Sequence, residues 1–215
     1  MYLALLFDLD GTLAETDSLH LPTWVEVLRP HGIEVDEEFY KANISGRSNG
    51  EIVRDLLPDL GARDGQEMAD AKEASFRERA TELEPLPGLL DLLRETRERG
   101  LMTALVTNAP EENVEAILMA LDLEEFFDEV VLSDEVGPVK PDPAPYRAAL
   151  ERLGVSPDRA LAFEDSTSGI ASAVGAGVPT VGIASTQPAE KLRGAGAFIA
   201  VEDFTDPKLR ELLGR

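Results

Sequence analysis

Residues 7–13 read FDLDGTL. This stretch closes the apolar run YLALLF (2–7) and places Asp8 and Asp10 two positions apart, followed by a glycine and a threonine. A continuous apolar run without polar alternation is typical of a strand that is buried on both faces of a parallel sheet. We therefore expect two carboxylates at the carboxyl end of a central strand, where open parallel sheets bind their ligands.

Further apolar runs of the same kind follow along the chain, and helical patterns separate most of them. The runs are MTALVT (102–107), EVVL (129–132), ALAF (160–163), TVGI (180–183) and AFIA (197–200). The helical patterns cover 87–100, 110–121, 143–154 and 166–177. Strands that alternate with helices predict a parallel sheet with crossover helices, so the expected fold class is α/β.

Residues 15–85 interrupt this alternation. They carry helical patterns at 21–32, 36–43, 49–57 and 65–83 but no convincing strand pattern. The chain returns at EPLPG (84–88), where two prolines are typical of a hinge or linker. We expect two domains: a core of residues 1–14 and 86–215, and a helical domain of residues 15–85 inserted after the first strand.

Composition excludes several classes of protein. The chain has no cysteine and two histidines, which excludes disulfides, thiolate catalysis and cysteine- or histidine-rich metal sites. The formal net charge of −22 disfavours nucleic acid and anionic membranes as partners. Only five of the 20 basic residues are lysines, which fits either adaptation to high salt or an ordinary acidic bacterial protein.

The sequence shows no membrane or targeting segment. No apolar stretch approaches the ~18 residues of a membrane-spanning helix, and the start MYLALLFD lacks the basic residues of a signal peptide. We expect a cytoplasmic protein without a membrane partner. The oligomeric state stays open, and a monomer is compatible with the sequence.

Polar side chains follow the predicted strands at their carboxyl ends. They are Asp8 and Asp10 after the first strand, Thr107 and Asn108 after the second, Lys140 in the loop after the third, and Glu164 and Asp165 after the fourth. Two like charges about 4 Å apart cost roughly 4 kcal/mol at an effective dielectric near 20, so four converging acids need protons or a cation. An all-oxygen ligand set suits Mg²⁺. We predict a Mg²⁺ site formed by the four acids.

A metal ion with open coordination positions invites a phosphate. Lys140 can balance the remaining negative charge, and Asn108 stands at a predicted helix start whose N–H groups, with the Thr107 hydroxyl, can hold phosphate oxygens. The chemistry that follows is attack by Asp8 on phosphorus to form an aspartyl-phosphate. Asp10 then serves as general acid and base, with its backbone carbonyl as a metal ligand.

These residues resemble the four motifs of the haloacid dehalogenase superfamily of phosphohydrolases. DLDGT (8–12), Thr107–Asn108, Lys140 with Pro141, and EDS (164–166) match them in order along nearly the whole chain. The resemblance implies a Rossmann-like core, a mobile helical cap and Mg²⁺-dependent phosphoryl transfer. It assigns Asp8 as nucleophile, Asp10 as acid/base and Thr107, Asn108 and Lys140 as phosphate ligands. Dehalogenases need no second acid, so Asp10 favours phosphate esters.

The insert is similar to the helical cap of the subgroup that holds phosphoglycolate phosphatases, small sugar phosphatases and β-phosphoglucomutases. By that resemblance Thr16 and His20 help to position the acid/base aspartate, and Lys72 matches a cap lysine of the mutase. SGRSN (45–49) resembles the mutase specificity loop, but Asn49 stands where the mutase has an arginine, and Arg47 is displaced from that position. As basic residues of an acidic chain, Arg47 and Lys72 are candidates for contact with an anionic substrate, and a plain surface role is the alternative for each.

The predicted function is a Mg²⁺-dependent phosphatase of small phosphorylated metabolites, with sugar phosphates as the favoured substrates. The alternative is a β-phosphoglucomutase-like phosphosugar mutase, which the absence of the loop arginine disfavours. A third class is a non-catalytic protein that binds metal and phosphate, which would have no need of Asp10. The physiological substrate does not follow from the sequence.

Overall fold

The computed structural model describes residues 1–214, which cluster into two compact units. The first unit consists of Met1–Glu15 and the chain from Leu83 onward, and the second of Thr16–Glu82. Within residues 1–214, no helix is long and apolar enough to cross a membrane. The predicted division into a core and a mobile cap at 14/15 and 85/86 stays a prediction.

The first unit is built on a parallel sheet. Its strands are β1 (Ala4–Phe7), β2 (Met102–Thr107), β3 (Glu129–Leu132), β4 (Ala160–Glu164), β5 (Thr180–Ile183) and β6 (Ile199–Val201). They lie in the order β3-β2-β1-β4-β5-β6, and every neighbouring pair is parallel. The predicted α/β class is confirmed, and β1 lies between β2 and β4, where the direction of the crossovers changes.

The second unit is helical. Its helices are α1 (Asp17–Leu28), α2 (Glu37–Asn43), α3 (Asn49–Leu56) and α4 (Ala62–Arg79). A buried apolar cluster that includes Trp24, Leu28 and Tyr40 holds them together. The start of α3 is fixed by a capping box, in which Ser48 accepts from the backbone of Glu51 and the Glu51 carboxylate accepts from the backbone of Ser48.

Helices of the first unit cover the sheet. They are α5 (Leu89–Glu98), α6 (Glu111–Leu121), α7 (Ser133–Val136), α8 (Ala144–Leu153), α9 (Thr167–Gly175), α10 (Ala189–Gly194) and α11 (Pro207–Leu213). α9 begins where the Ser166 hydroxyl accepts from the backbone N–H of Gly169 at 3.0 Å, as an N-cap serine does.

Burial on both faces makes β1 a rigid support. Leu6 belongs to a buried apolar cluster with Val106 of β2 and Tyr146 of α8. The neighbouring residue in β1, Phe7, points to the opposite face and stacks on Phe163 of β4, with ring centroids 4.9 Å apart. Burial of each such apolar side chain stabilises the folded state by roughly 1.5–3 kcal/mol. The strand therefore presents the residue that follows it, Asp8, in a fixed position.

Several element bounds differ from the sequence prediction. β1 begins at Ala4 and not at residue 2, and α1 begins at Asp17 and not at residue 21. Pro22 lies inside α1 and not at its start, although proline favours the first helical turn. The short helices α7, α10 and α11 were not predicted, because four to seven residues show too little periodicity.

Candidate active site

Three neighbouring strands bring the predicted catalytic residues to one edge of the sheet. Phe7 and Phe163 are paired in register, and the backbone N–H of Asp8 donates to the carbonyl of Phe163 at 3.1 Å. Asp8 therefore lies beside Glu164, the last residue of β4. β2 ends beside them at Thr107, whose partner in β3 is Leu132.

Three of the four predicted metal-binding acids form one buried cluster. Asp8, Glu164 and Asp165 each offer a carboxylate oxygen, and these oxygens lie within 4.8 Å of one another. Glu164 is fully buried, and Asp8 and Asp165 are 8% and 6% exposed. The fourth acid, Asp10, is partly exposed, and its backbone forms a bridge with Ala14. Its negative charge acts on both Asp8 and Asp165.

Lys140 is the cation of this cluster. Its Nζ donates to Asp8 Oδ1 at 2.7 Å, to Glu164 Oε1 at 2.6 Å and to the backbone carbonyl of Val106 at 2.7 Å. An ammonium has three N–H donors, so these three acceptors match its full capacity. Lys140 thus fastens the nucleophile candidate to Glu164 across the end of the sheet.

The cluster carries more negative charge than Lys140 can balance, and the pKa values of its carboxyl groups reflect this. Burial raises the pKa of Asp8 to about 7, and the Glu164 charge adds to this effect although Lys140 opposes it. Burial and the charges of Asp8 and Glu164 raise the pKa of Asp165 well above its usual value, against the hydrogen bond from Thr186. Burial alone would lower the pKa of Lys140, but the two carboxylates outweigh it and raise that pKa.

The donor set fits a divalent metal ion. The chain here offers carboxylate oxygens only, which is the chemistry of a hard cation. One ammonium faces three buried carboxylates, so a divalent cation would supply the missing charge without protonating Asp8. Asp8, Asp165 and Glu164 would hold the ion. Thr12 follows Asp8 by four positions, and its buried hydroxyl has no hydrogen-bond partner among the described residues.

Two glycines allow the backbone to come close to these acids. Gly11 has φ +72°, and a Cβ added there would lie 2.3 Å from Asp165 Oδ2. A Cβ added at Gly169 would lie 1.9 Å from Glu164 Oε2. A larger residue at either position would have to displace a carboxylate. The glycine in DLDGT is therefore required by the packing of the loop against Asp165.

The predicted phosphate ligands lie on two loops that are tied together. Asn108 Oδ1 accepts from the backbone N–H of Lys140 at 3.1 Å, and Asn108 Nδ2 donates to the Lys140 carbonyl at 3.4 Å. The buried Thr107 hydroxyl accepts from the N–H of Ala109 at 2.9 Å. The structure thus brings Asn108 and Lys140 together beside the end of β2, and their role toward phosphate stays a prediction.

The predicted substrate residues of the insert lie in the second unit. His20 Nδ1 is 2.7 Å from Lys72 Nζ, and Lys72 pairs with Glu73 Oε1 at 2.9 Å. Lys72 is only 2% exposed, and the ring centroids of Trp24 and Phe76 each lie 5.6 Å from its Nζ. The structure therefore brings two of the predicted residues, partly exposed His20 and buried Lys72, into one polar cluster.

The remaining insert residues take other positions. Thr16 is buried and precedes the first turn of α1. Arg47 donates to the Asn43 carbonyl at 2.9 Å and pairs with Asp55, so its guanidinium is engaged within its own unit. The Asn49 amide donates to Glu73 Oε1 at 2.6 Å. Their roles toward a substrate stay predictions.

Sequence reasoning missed two polar residues of the site. Tyr146 donates from its hydroxyl to Glu164 Oε1 at 2.7 Å, and the Thr186 hydroxyl donates to Asp165. Tyr146 lies within a helical pattern and reads as an ordinary core residue. Thr186 could have been found, because it follows the fifth apolar run at the same edge of the sheet.

Comparison with known proteins defines the class. The sequence profile of the haloacid dehalogenase-like hydrolases matches residues 5–183. The chain belongs to this family, as the sequence motifs predicted.

Individual relatives refine this assignment. The chain is 30% identical over 212 residues to validoxylamine A 7'-phosphate phosphatase of Streptomyces hygroscopicus subsp. limoneus, with 96% of each chain covered. It is 32% identical over 210 residues to a phosphorylated carbohydrates phosphatase of Thermotoga maritima, with 93% and 94% covered. The crystal structure of CbbY from Rhodobacter sphaeroides in complex with phosphate matches with a TM-score of 0.86, 32% identity and 96% of both chains.

The predicted enzyme class is confirmed by these findings. The named relatives are phosphatases of the family, so the chain is a phosphoric monoester hydrolase. The family and the buried acidic cluster together indicate a divalent metal ion.

Proposed function

We propose that this enzyme is a Mg²⁺-dependent phosphatase of small sugar phosphates that works through an aspartyl-phosphate on Asp8. The observation that carries the proposal is the contact between Lys140 and Asp8 beside the buried acids Glu164 and Asp165. Three buried carboxylates and one ammonium at the same strand end support a nucleophile, a cation and a set of oxygen ligands there. The relatives named for phosphorylated carbohydrates support the substrate class.

Asp8 is the proposed nucleophile. Lys140 holds one of its carboxylate oxygens at 2.7 Å, which fixes the direction in which the other oxygen faces an incoming phosphorus. Attack forms the bond from this oxygen to phosphorus as the ester bond to the sugar oxygen breaks. Burial of Asp8 makes its pKa sensitive to neighbouring charge, so a cation in the cluster keeps the carboxylate ionised.

Asp10 is the proposed general acid and base. It gives its proton to the sugar oxygen as that oxygen leaves, and it then takes a proton from the water that attacks the aspartyl-phosphate. That second step releases inorganic phosphate and restores the Asp8 carboxylate. The partial exposure of Asp10, in contrast with buried Asp8, suits a group that exchanges protons with leaving group and water.

Mg²⁺, held by Asp8, Asp165 and Glu164 with the Asp10 carbonyl, would polarise the phosphoryl oxygens and offset their charge. Thr107, Asn108 and Lys140 are the proposed ligands of the phosphate. We also propose that the helical insert selects the sugar through Thr16, His20, Arg47 and Lys72. The asparagine at position 49, already bound to Glu73, supports hydrolysis over mutase activity.

The test is phosphate release from a panel of sugar monophosphates, phosphoglycolate and an aryl phosphate, in Mg²⁺ and in EDTA. We expect release to require Mg²⁺ and to disappear in Asp8→Asn. Asp158→Asn, an exposed acid of the same unit, is the matched control and should retain activity. Isomerisation that needs a bisphosphate activator, with little free phosphate, would identify the mutase instead.

Asp10→Asn separates the acid/base role from a general loss of function. An aryl leaving group needs no proton, whereas a sugar alkoxide does. We expect kcat to fall about 10²–10⁴-fold with sugar phosphates and much less in the first step with the aryl phosphate. That step is followed as the burst of aryl alcohol in a single turnover. An equal loss with both substrates would remove Asp10 from the role of acid.

A further inference from the structure

We propose that Tyr146 is a positioning residue of this active site, which holds Glu164 and Lys140 in the arrangement that binds the metal ion. The inference rests on the proposed function, because Glu164 and Lys140 act there on Mg²⁺ and phosphate. The Tyr146 hydroxyl donates its one proton to Glu164 and not to Asp8, the proposed nucleophile. Tyr146 acts through the two residues that its side chain touches.

The ring of Tyr146 is anchored in the core of the sheet. Tyr146 has no exposed surface, and it belongs to the apolar cluster that contains Leu6 and Val106. Its helix, α8, is fixed to the same cluster by Ala149 and Leu150. Packing therefore fixes the orientation of the Tyr146 side chain, which extends from the hydrophobic core to the carboxyl end of β1.

The Tyr146 side chain contacts both members of the Lys140–Glu164 ion pair. Tyr146 Oη donates to Glu164 Oε1 at 2.7 Å, and Lys140 Nζ donates to the same oxygen at 2.6 Å. The Lys140 Nζ also lies 5.3 Å from the centroid of the Tyr146 ring, within the range of a cation–π interaction. One buried side chain thus contacts the carboxylate through its hydroxyl and the ammonium through its ring.

Ser166 and Gly169 confine the same carboxylate further. Oε2 accepts from the Ser166 hydroxyl at 3.2 Å, and Gly169 of α9 lies so close that an added Cβ would stand 2.0 Å from Oε1 and 1.9 Å from Oε2. Glu164 is therefore fixed between α8 and α9. Removing the Tyr146 hydroxyl leaves Oε1 with Lys140 alone and frees the carboxylate to turn, since an anion with fewer donors is less strongly oriented.

The test is the affinity of the whole protein for Mg²⁺, measured by titration calorimetry without substrate. Tyr146→Phe removes the hydroxyl and retains the ring. We expect Mg²⁺ binding to weaken about 10–100-fold, as when an outer hydrogen-bond partner of a metal ligand is lost. Tyr40→Phe is the matched control, because Tyr40 is also buried and its hydroxyl donates to a carboxylate, Asp17 Oδ1, at 2.6 Å in the helical unit.

A double-mutant cycle shows whether Tyr146 acts through Glu164. In the Glu164→Gln background, Tyr146→Phe should change Mg²⁺ affinity less than threefold, because the carboxylate that it orients is gone. Tyr40→Phe should lower thermal stability but leave Mg²⁺ affinity unchanged. Equal Mg²⁺ affinity in wild type and Tyr146→Phe would overturn this inference and leave the proposed function intact. Absence of Mg²⁺ binding in the wild type would overturn both.

Discussion

Replacing Asp8, the proposed nucleophile, should stabilise the metal-free enzyme. The pKa of Asp8 is raised from 3.8 to about 7 by burial and by the charge of Glu164. This shift in pKa corresponds to about 4 kcal/mol, by which the free energy of unfolding is lower when Asp8 is ionised in the folded protein. Asp8→Asn removes the charge and retains an oxygen that can accept from Lys140. We expect the variant to be up to about 4 kcal/mol more stable above pH 7 in EDTA.

The pH dependence gives the sign of this effect. Between pH 4 and 7 the folded wild type holds a proton on Asp8 that the unfolded chain has released, so its stability falls as pH rises through this window. The advantage of Asp8→Asn should therefore be small below pH 4, grow up to pH 7 and stay constant above it. Chemical denaturation in EDTA at a series of pH values measures it.

The control for this experiment is Asp158→Asn, which removes a charge from an exposed position of the same unit. Its stability difference from wild type should be within about 0.5 kcal/mol and nearly independent of pH. An Asp8→Asn variant that is less stable than wild type at pH 8, or a difference that does not change between pH 5 and 8, would refute the electrostatic account of the site.

Further predictions concern packing, the buried pair and the metal. Gly169→Ala places a Cβ 1.9 Å from Glu164 Oε2 and should cost about 1–3 kcal/mol in denaturant unfolding, whereas Gly194→Ala, with no atom within 4 Å, should cost nothing; equal effects would contradict the packing. Lys72→Met leaves the carboxylate of Glu73 buried without its cation and should cost about 3–5 kcal/mol, most of it recovered by adding Glu73→Gln; no recovery would argue against the ion pair. Mg²⁺ at 100 times its Kd should stabilise the wild type by about 2.7 kcal/mol. Its affinity should rise with pH up to about 7, because the ion displaces the proton of Asp8; a flat pH profile would contradict this.

The sheet and the acids of the site were predictable because their signals are local. Apolar runs buried on both faces mark the strands, and the acids that follow β1 and β4 stand at strand ends by sequence position alone. The sequence predicted parallel strands but not their order. That order, with β1 between β2 and β4, is what sets Asp8 beside Glu164.

The hydrogen bonds of the site could not be predicted, because they join residues far apart in the chain. Lys140 was predicted as a phosphate ligand from its residue type and its place after β3. Its contacts with Asp8 and Glu164 span 132 and 24 positions. In the insert, sequence alone suggested an anion contact for Arg47, whereas folding sets Asp55 beside its guanidinium. Partners of this kind follow from tertiary packing and leave no trace in a short motif.

The full set of partners around Lys140 has a consequence for product release. Its three donors are directed at Asp8, Glu164 and the Val106 carbonyl, so a phosphate oxygen can bind the ammonium only in exchange for one of them. Such an exchange keeps the number of hydrogen bonds constant and yields little net free energy. If Lys140 binds phosphate as proposed, one of these protein acceptors can take back the donor when inorganic phosphate leaves. On the proposed role of Lys140 toward phosphate, release of the product would not leave a buried cation unpaired, which would favour turnover over product inhibition.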